Sequence, residues 1–329
     1  MSGVKCINKI VSAAIAVSLC VGLLGCGRTE VNNKYDIYAD TASYGLLPEV
    51  SAGGAAFFAD DKCIPLKKNR GTKKVDSAVS EGGGLFNVDT QEIKYAKNIN
   101  ERMYPASTTK ILTAYVAIKY GSLDQEITVT ENAMQTERDS SVCNLAVGDV
   151  LTLRQLLYGL MLRSGNDAAV AIAEGVSGSV ADFVALMNQE AKRLGATQSH
   201  FVTPNGLHDD NHYTTIYDMY LITNEAVKNA DFLEIMQTFS YDVLYKGASG
   251  ENKQQNWQST CQYLNGATTP PEGINVIGAK TGTTGAAGYC LVTYAENPSK
   301  EHLICIVYKS DSRWNLYYLM NQIYDTFGT

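Results

Sequence analysis

Apolar positions along this chain follow three different patterns, and each change of pattern marks a change of organisation. Ile10 to Leu24 is a nearly unbroken apolar run of fifteen residues that follows Lys5 and Lys9. It is short for a membrane span, which needs roughly 20 residues, but suits the apolar core of a secretory signal. From Gly27 to about Ser51 the residues are mostly polar and no period is sustained, which predicts a tether. Ala55 to Leu66 is a candidate edge strand, and Lys67 to Lys74 reads as a basic, solvated loop. From Gly84 the pattern sharpens. Leu85 to Val88 and Ile93 to Tyr95, split by Asp89-Thr90-Gln91-Glu92, predict a hairpin.

Helical spacing then takes over. Pro105 precedes a run from Ser107 to Ile118 that ends before Gly121. Thr152 caps a second helix with Leu153, Leu156, Leu157, Leu160 and Met161 on one face. Arg163-Ser164-Gly165-Asn166 breaks that helix, and Ala168 to Gly175 resumes helical spacing. Ser179 and Asp182 begin a helix that runs to Leu194 and stops at Gly195. Three apolar runs read as strands, Ile274 to Ile277, Tyr289 to Tyr294 and Leu303 to Tyr308, and Trp314 to Phe327 reads as a closing helix. Strands, then many helices, then strands and a helix predict an α+β fold whose antiparallel sheet is completed from both ends of the chain.

Leu23-Leu24-Gly25-Cys26 changes the reading of the N-terminus. It resembles the bacterial lipobox, whose cysteine is acylated and becomes the new first residue, so residues 1–25 are expected to be a lipoprotein signal peptide and residues 26–51 a polar tether from lipidated Cys26. The chain carries 27 basic and 34 acidic residues; Lys5 and Lys9 are the only charges in residues 1–25, so a form lacking them has 25 against 34, a charge of -9. Such an acidic chain argues against nucleic acid as a partner. Of eight cysteines, Cys63, Cys143, Cys261, Cys290 and Cys305 remain beyond Cys26. Five is odd, so at least one thiol is free or pairs outside the chain, and no spacing suggests zinc.

The candidate chemistry is carried by three short motifs. Ser107-Thr108-Thr109-Lys110 puts a hydroxyl and an amine three residues apart at a helix start, where they share a face. A serine is a poor nucleophile until a neighbour takes its proton, and a lysine can do so only when burial or nearby positive charge lowers its pKa. Alone the pattern is weak, since Ser2-Gly3-Val4-Lys5 matches it inside the signal segment. Ser164-Gly165-Asn166 is the chain's only S-x-N, at a helix break, and Lys280-Thr281-Gly282 its only K-T-G, placed directly after a predicted strand. The three in this order are the signature of penicillin-binding proteins and serine β-lactamases.

The stretches Tyr104 to Ala114, Leu157 to Ala169, His200 to His208, and Gly278 to Thr284 followed by Ala287 to Cys290 resemble the serine-type D-alanyl-D-alanine carboxypeptidases, the low-molecular-mass penicillin-binding proteins, with the likeness running from about Gly84 onward. The resemblance implies a β-lactamase/transpeptidase-like catalytic domain over residues 52–329, an antiparallel sheet flanked by helices with an all-helical subdomain at about 120–240. It implies removal of the terminal D-alanine from peptidoglycan stem peptides ending in D-Ala-D-Ala, with β-lactam antibiotics as covalent inhibitors and no metal or cofactor, at the extracytoplasmic face of a bacterial membrane held by the N-terminal lipid. Residue by residue, Ser107 is implied as the acylated nucleophile, Lys110 as its base, Ser164 as a proton relay and Asn166 as a substrate-orienting group. Lys280 is implied to hold the substrate carboxylate, with Thr281, Gly282 and Thr283 beside it. The Ser107 and Thr283 N–H groups are implied to form the oxyanion hole. Only 47 residues follow Gly282, so the C-terminal all-β domain of many relatives is expected to be missing.

Other readings fit less well. A class A β-lactamase needs a Glu-x-x-Leu-Asn, which is not found, whereas a DD-endopeptidase would share every motif. A non-catalytic envelope binding protein should have lost one of them. Gly273, Gly278, Lys280 and Thr281 miss the phosphate-loop spacing because Ala279 intervenes. His208 and His212 are four apart but flank an Asp-Asp-Asn loop and are expected in the core or cleft wall.

Overall fold

The computed structural model describes residues 60–137 and 139–329. The signal segment, Cys26, the tether and the first part of the expected strand at Ala55 lie outside the described residues. Five strands form one antiparallel sheet: β1 (Ser80–Asn87), β2 (Glu92–Lys97), β7 (Asn275–Thr284), β8 (Gly288–Glu296) and β9 (His302–Ser310), in the order β2-β1-β9-β8-β7. The hairpin and all three late strands are where periodicity places them, though each strand is longer. β9 explains why its sequence reads as continuously apolar. Leu303, Cys305 and Val307 face the closing helix, and Ile304, Ile306 and Tyr308 face the opposite layer, so both faces are buried.

Seven α-helices are described: α1 (Lys110–Tyr120), α2 (Leu153–Tyr158), α3 (Asn166–Ser177), α4 (Val180–Arg193), α5 (Ile216–Ala226), α6 (Ala230–Gln237) and α7 (Arg313–Phe327). Helix α7 covers one face of the sheet through Leu316, Leu319, Met320, Ile323 and Tyr324. The other face packs on α5, and the close approach depends on the missing side chains of Gly82 and Gly84. A Cβ on Gly82 would lie 2.4 Å from the Met103 side chain, and one on Gly84 3.0 Å from that of Ile216. Behind this layer runs α1, in which Lys110 through Ala117 are all buried. Local signals set the helix starts as expected. Thr152 and Gln155 form a reciprocal capping box at α2, and Ser179 accepts the Asp182 N–H at α4.

Three expectations need correction. The segment expected to be all-helical contains β3 (Glu126–Thr128) and β4 (Val150–Thr152), which join β5 (Ser240–Lys246) and β6 (Asn252–Gln258) in a second, four-stranded sheet. In β6 only Trp257 is buried, so an apolar period had nothing to register. Residues 60–66 form no strand. Cys63 is buried there, and its backbone is satisfied by side chains instead of a neighbouring strand: its N–H donates to Tyr220 Oη at 2.9 Å, and Tyr217 Oη donates to its carbonyl at 2.8 Å. Finally, Lys280-Thr281-Gly282 lies inside β7 rather than after it. Small residues at Gly278, Ala279 and Gly282 hid that stretch from a hydrophobicity reading. All five described cysteines are buried and free, so no disulfide contributes to this core.

Candidate active site

Ser107 sits on a 3-10 turn, Ala106–Thr109, that runs directly into α1. In a 3-10 turn residues three apart eclipse one another, which brings Lys110 over Ser107 more closely than an α-helix would. The turn is held in an unfavourable backbone state, with Ala106 at φ +48°. Two contacts over-determine it. Thr108 Oγ1 donates to the Pro105 carbonyl at 2.7 Å and also meets Tyr308 Oη of β9. Gly206, at φ +83°, presses against Ala106 so closely that a Cβ would stand 2.0 Å from the Ala106 oxygen.

Lys110 is wholly buried, and its Nζ has three partners: Ser107 Oγ at 2.9 Å, Asn166 Oδ1 at 2.7 Å and the Asn205 carbonyl at 2.6 Å. Burial, aided by the positive charge of Lys280, holds its pKa well below the usual lysine value. A neutral amine has two N–H donors and one lone pair. Asn166 and Asn205 accept both donors, so the lone pair is left to face Ser107. That is the arrangement a proton acceptor requires.

The opposite wall comes from the break between α2 and α3. A π-helical turn, Gly159–Arg163, ends at Ser164, which takes a left-handed φ of +60°. Lys280 Nζ donates to Ser164 Oγ at 3.0 Å and to the Thr281 carbonyl at 2.9 Å. Burial pushes the Lys280 pKa down to about 7. Asp167 fixes the segment before β4 over this break by accepting the N–H of Cys143 at 2.8 Å and that of Leu145 at 3.2 Å. The third wall is β7, whose outer edge has no strand partner among the described residues. Gly282 allows that edge to reach the Ser107 turn, since a Cβ there would lie 2.9 Å from Ser107 N and 3.0 Å from Thr108 N.

Together these walls enclose a cleft of about 290 Å³ lined by Ser107, Ser164, Thr281, Gly282 and Thr283, with Ser141 and Thr260 at its margin. Every residue singled out from the three motifs is therefore here or one hydrogen bond away. Three contributors were not anticipated. Asn205 lies in a Thr-Pro-Asn-Gly turn, a readable turn signal that says nothing of a lysine 95 residues earlier in the chain. Thr260 meets Thr281 Oγ1 at 2.5 Å from a loop without periodicity. Arg313 enters from the start of α7, where the sequence offers only a helix boundary. His212, expected in the core or cleft wall, is buried. Its Nδ1 accepts the Val202 N–H at 3.0 Å, leaving Nε2–H to donate to Thr109 Oγ1 at 2.9 Å. Burial holds its pKa down at about 4, so at neutral pH the ring is uncharged and clamps the 200–208 segment to the turn that carries Ser107. His208 packs edge-on against Tyr104 instead.

Comparison with known proteins agrees with this architecture. Residues 73–312 match the family model described as D-alanyl-D-alanine carboxypeptidase. A D-alanyl-D-alanine carboxypeptidase of Streptomyces sp. (strain K15) is 35% identical over 240 residues, covering 70% of this chain and 80% of that protein. DacF of Bacillus subtilis is 34% identical over 215 residues, covering 64% of this chain, which spans only 53% of DacF. Among solved structures, the Streptomyces K15 DD-transpeptidase superposes with a TM-score of 0.68 at 31% identity, covering 75% of this chain and 97% of that one. The D-alanyl-D-alanine carboxypeptidase of Mycobacterium tuberculosis gives 0.67 at 27% identity, covering 76% and 91%. The fold is thus the α+β, β-lactamase/transpeptidase-like one, and the matched segment contains all three motifs of the cleft, so the chain belongs to the D-alanyl-D-alanine carboxypeptidase family of serine peptidases.

Proposed function

We propose that this protein removes the terminal D-alanine from peptidoglycan stem peptides through an acyl-enzyme on Ser107. The observation that carries the reading is the buried, doubly anchored amine of Lys110 at 2.9 Å from Ser107 Oγ, whose pKa burial holds well below the usual lysine value. Lys110 takes the hydroxyl proton as Oγ attacks the carbonyl of the penultimate D-alanine. The developing oxyanion is met by the N–H groups of Ser107 and Thr283. Ser164 passes a proton to the departing D-alanine nitrogen, and Asn166 orients the peptide. Lys280, with Arg313 nearby, attracts the substrate's terminal carboxylate. Water then releases the shortened peptide, and no step calls for a metal or cofactor.

No carboxylate lines the cleft among the described residues. This supports a penicillin-binding protein over a β-lactamase, because nothing resembling the glutamate of class A enzymes stands by to drive water onto a β-lactam ester. Penicillin should therefore remain attached. Since one of the similar solved structures is described as a DD-transpeptidase, the acyl acceptor is a separate question from acyl-enzyme formation. Mass spectrometry of purified muropeptides after incubation answers both, as loss of one D-alanine with or without cross-linked product. Intact pentapeptides after prolonged incubation would sink the reading.

The two lysines also fix a pH profile. Activity on the free enzyme should rise as Lys110 loses its proton and fall as Lys280, whose pKa burial lowers to about 7, loses its own, giving a bell in kcat/KM. Lys280→Arg keeps a cation at all working pH values, so the descending limb should disappear below about pH 9 even if the maximum is lower. An unchanged descending limb in that variant would assign it to another group.

Attachment to the outer face of the membrane through lipid on Cys26 belongs to the same proposal and is supported by the apolar run and Leu-Leu-Gly-Cys sequence alone. Cys26→Ser should shift the protein from the membrane pellet to the soluble fraction. A variant that sediments like the natural protein would leave the anchor unsupported.

A further inference from the structure

Beside the catalytic cleft lies a larger groove, about 540 Å³ between α7 and the segment 262–271. Its floor is aromatic. Trp314 is 70% exposed, Tyr318 is 37% exposed, and their rings lie 5.0 Å apart at 36°, an open wedge on the helix surface. Gln322 and Asp325 continue the same stripe, and Thr268 and Thr269 form the facing rim. The Tyr318 side of the wedge is held in place before any ligand arrives. Gln322 Nε2 donates to Tyr318 Oη at 3.0 Å while its Oε1 accepts the Asp76 N–H at 2.8 Å. Asn321 ties α7 to the rim by donating to the Thr269 carbonyl at 3.1 Å.

We propose that this groove binds the glycan to which the stem peptide is attached, taking a neutral N-acetylated amino sugar against Trp314 and Tyr318. This rests on the proposed function for the identity of the sugar. A pyranose presents an apolar C–H face and a polar edge, and the groove offers the matching pair, flat aromatic faces beside amide, hydroxyl and carboxylate groups. Charge separates the two sites. The catalytic cleft carries Lys280 and Arg313 for an anionic peptide end, whereas the only charged side chain lining the groove is Asp325, which suits an uncharged ligand. Tyr317 lines both spaces, so the groove adjoins the cleft.

The chain's two tryptophans make the test direct. Trp257 is 1% exposed, so acrylamide quenching of the full-length protein reports on Trp314. Chitotetraose, a soluble N-acetylglucosamine tetramer, should shield that fluorescence saturably, and Tyr318→Ala should weaken the apparent affinity about 5- to 10-fold. In a second arm, kcat/KM should be higher for a disaccharide-linked pentapeptide than for the free pentapeptide. Trp314→Ala should erase that preference without changing turnover of the free peptide. Absence of saturable shielding, or a preference that survives Trp314→Ala, overturns the proposal. Protein that shields Trp314 but frees no D-alanine from either peptide keeps the sugar site and loses the catalytic reading. Equal use of both peptides by the natural protein does the reverse.

Discussion

Ser107→Ala will prevent covalent labelling by fluorescent penicillin and lower D-alanine release by about 10⁶-fold, the scale on which removal of a serine nucleophile acts. The loss is expected to be nearly complete because no other hydroxyl shares the position. Ser164 Oγ is bonded to Lys280, and Thr108 Oγ1 points back to the Pro105 carbonyl. Folding should be largely preserved. Lys110 keeps both of its acceptors, Asn166 and Asn205, when the serine oxygen is removed. A melting temperature within a few degrees of the natural protein, with label absent, is the expected pair of results. Persistent labelling of the alanine variant would move the nucleophile elsewhere.

Lys110→Met is the second large effect. It preserves side-chain length while deleting the lone pair that faces Ser107, so acylation by penicillin should fall by about 10²- to 10⁴-fold, the range associated with a general base. Lys110→Arg should be equally poor at every accessible pH, because a guanidinium does not give up its proton. A stability measurement distinguishes a neutral Lys110 from a charged one. Its folded pKa lies well below the unfolded value of about 10.5, so between those two values the unfolded chain binds the extra proton. Stability of the natural protein therefore rises with pH across that window. The methionine variant lacks this contribution. Its melting temperature relative to the natural protein should be most favourable at low pH and should decline toward pH 10. Against it stands the loss of a donor to Asn166 and Asn205, about 1–3 kcal/mol for each acceptor left unsatisfied. A melting offset that does not vary with pH would contradict the neutral amine.

The groups gathered in this cleft differ in how far apart in sequence their causes lie. Ser107 and Lys110 are three residues apart, and a turn of helical sense is enough to bring them together. Their pairing was legible, although the turn is 3-10 rather than α. The motif at Lys280 was found by residue type, but its position inside β7 was not, because small residues that permit close approach leave no hydrophobic trace. Arg313 carried no signal of its place in the cleft, and Asn205, though inside the His200–His208 stretch, carried none of its bond to Lys110. Each is an ordinary residue in its own segment and acquires a role only from what packs beside it. The second sheet was missed for a related reason: β3 and β4 are three residues each and β6 is largely solvated, while β5 does turn Tyr241, Val243 and Tyr245 inward but carries an exposed Leu244 between them that blurs the alternation.

Periodicity and three short motifs were sufficient to establish an α+β chain with a serine, two lysines and an S-x-N turn belonging to one family, because those features depend on neighbours within a few residues. The proton affinities of the two lysines depended on the tertiary structure. Lys110 meets Asn166 from 56 residues away and Asn205 from 95, and Lys280 meets Ser164 across 116. Only folding brings these segments together and removes water from around both amines. An amine that has lost its hydration is easier to deprotonate, and that change separates a lysine on a surface from a base beside a nucleophile.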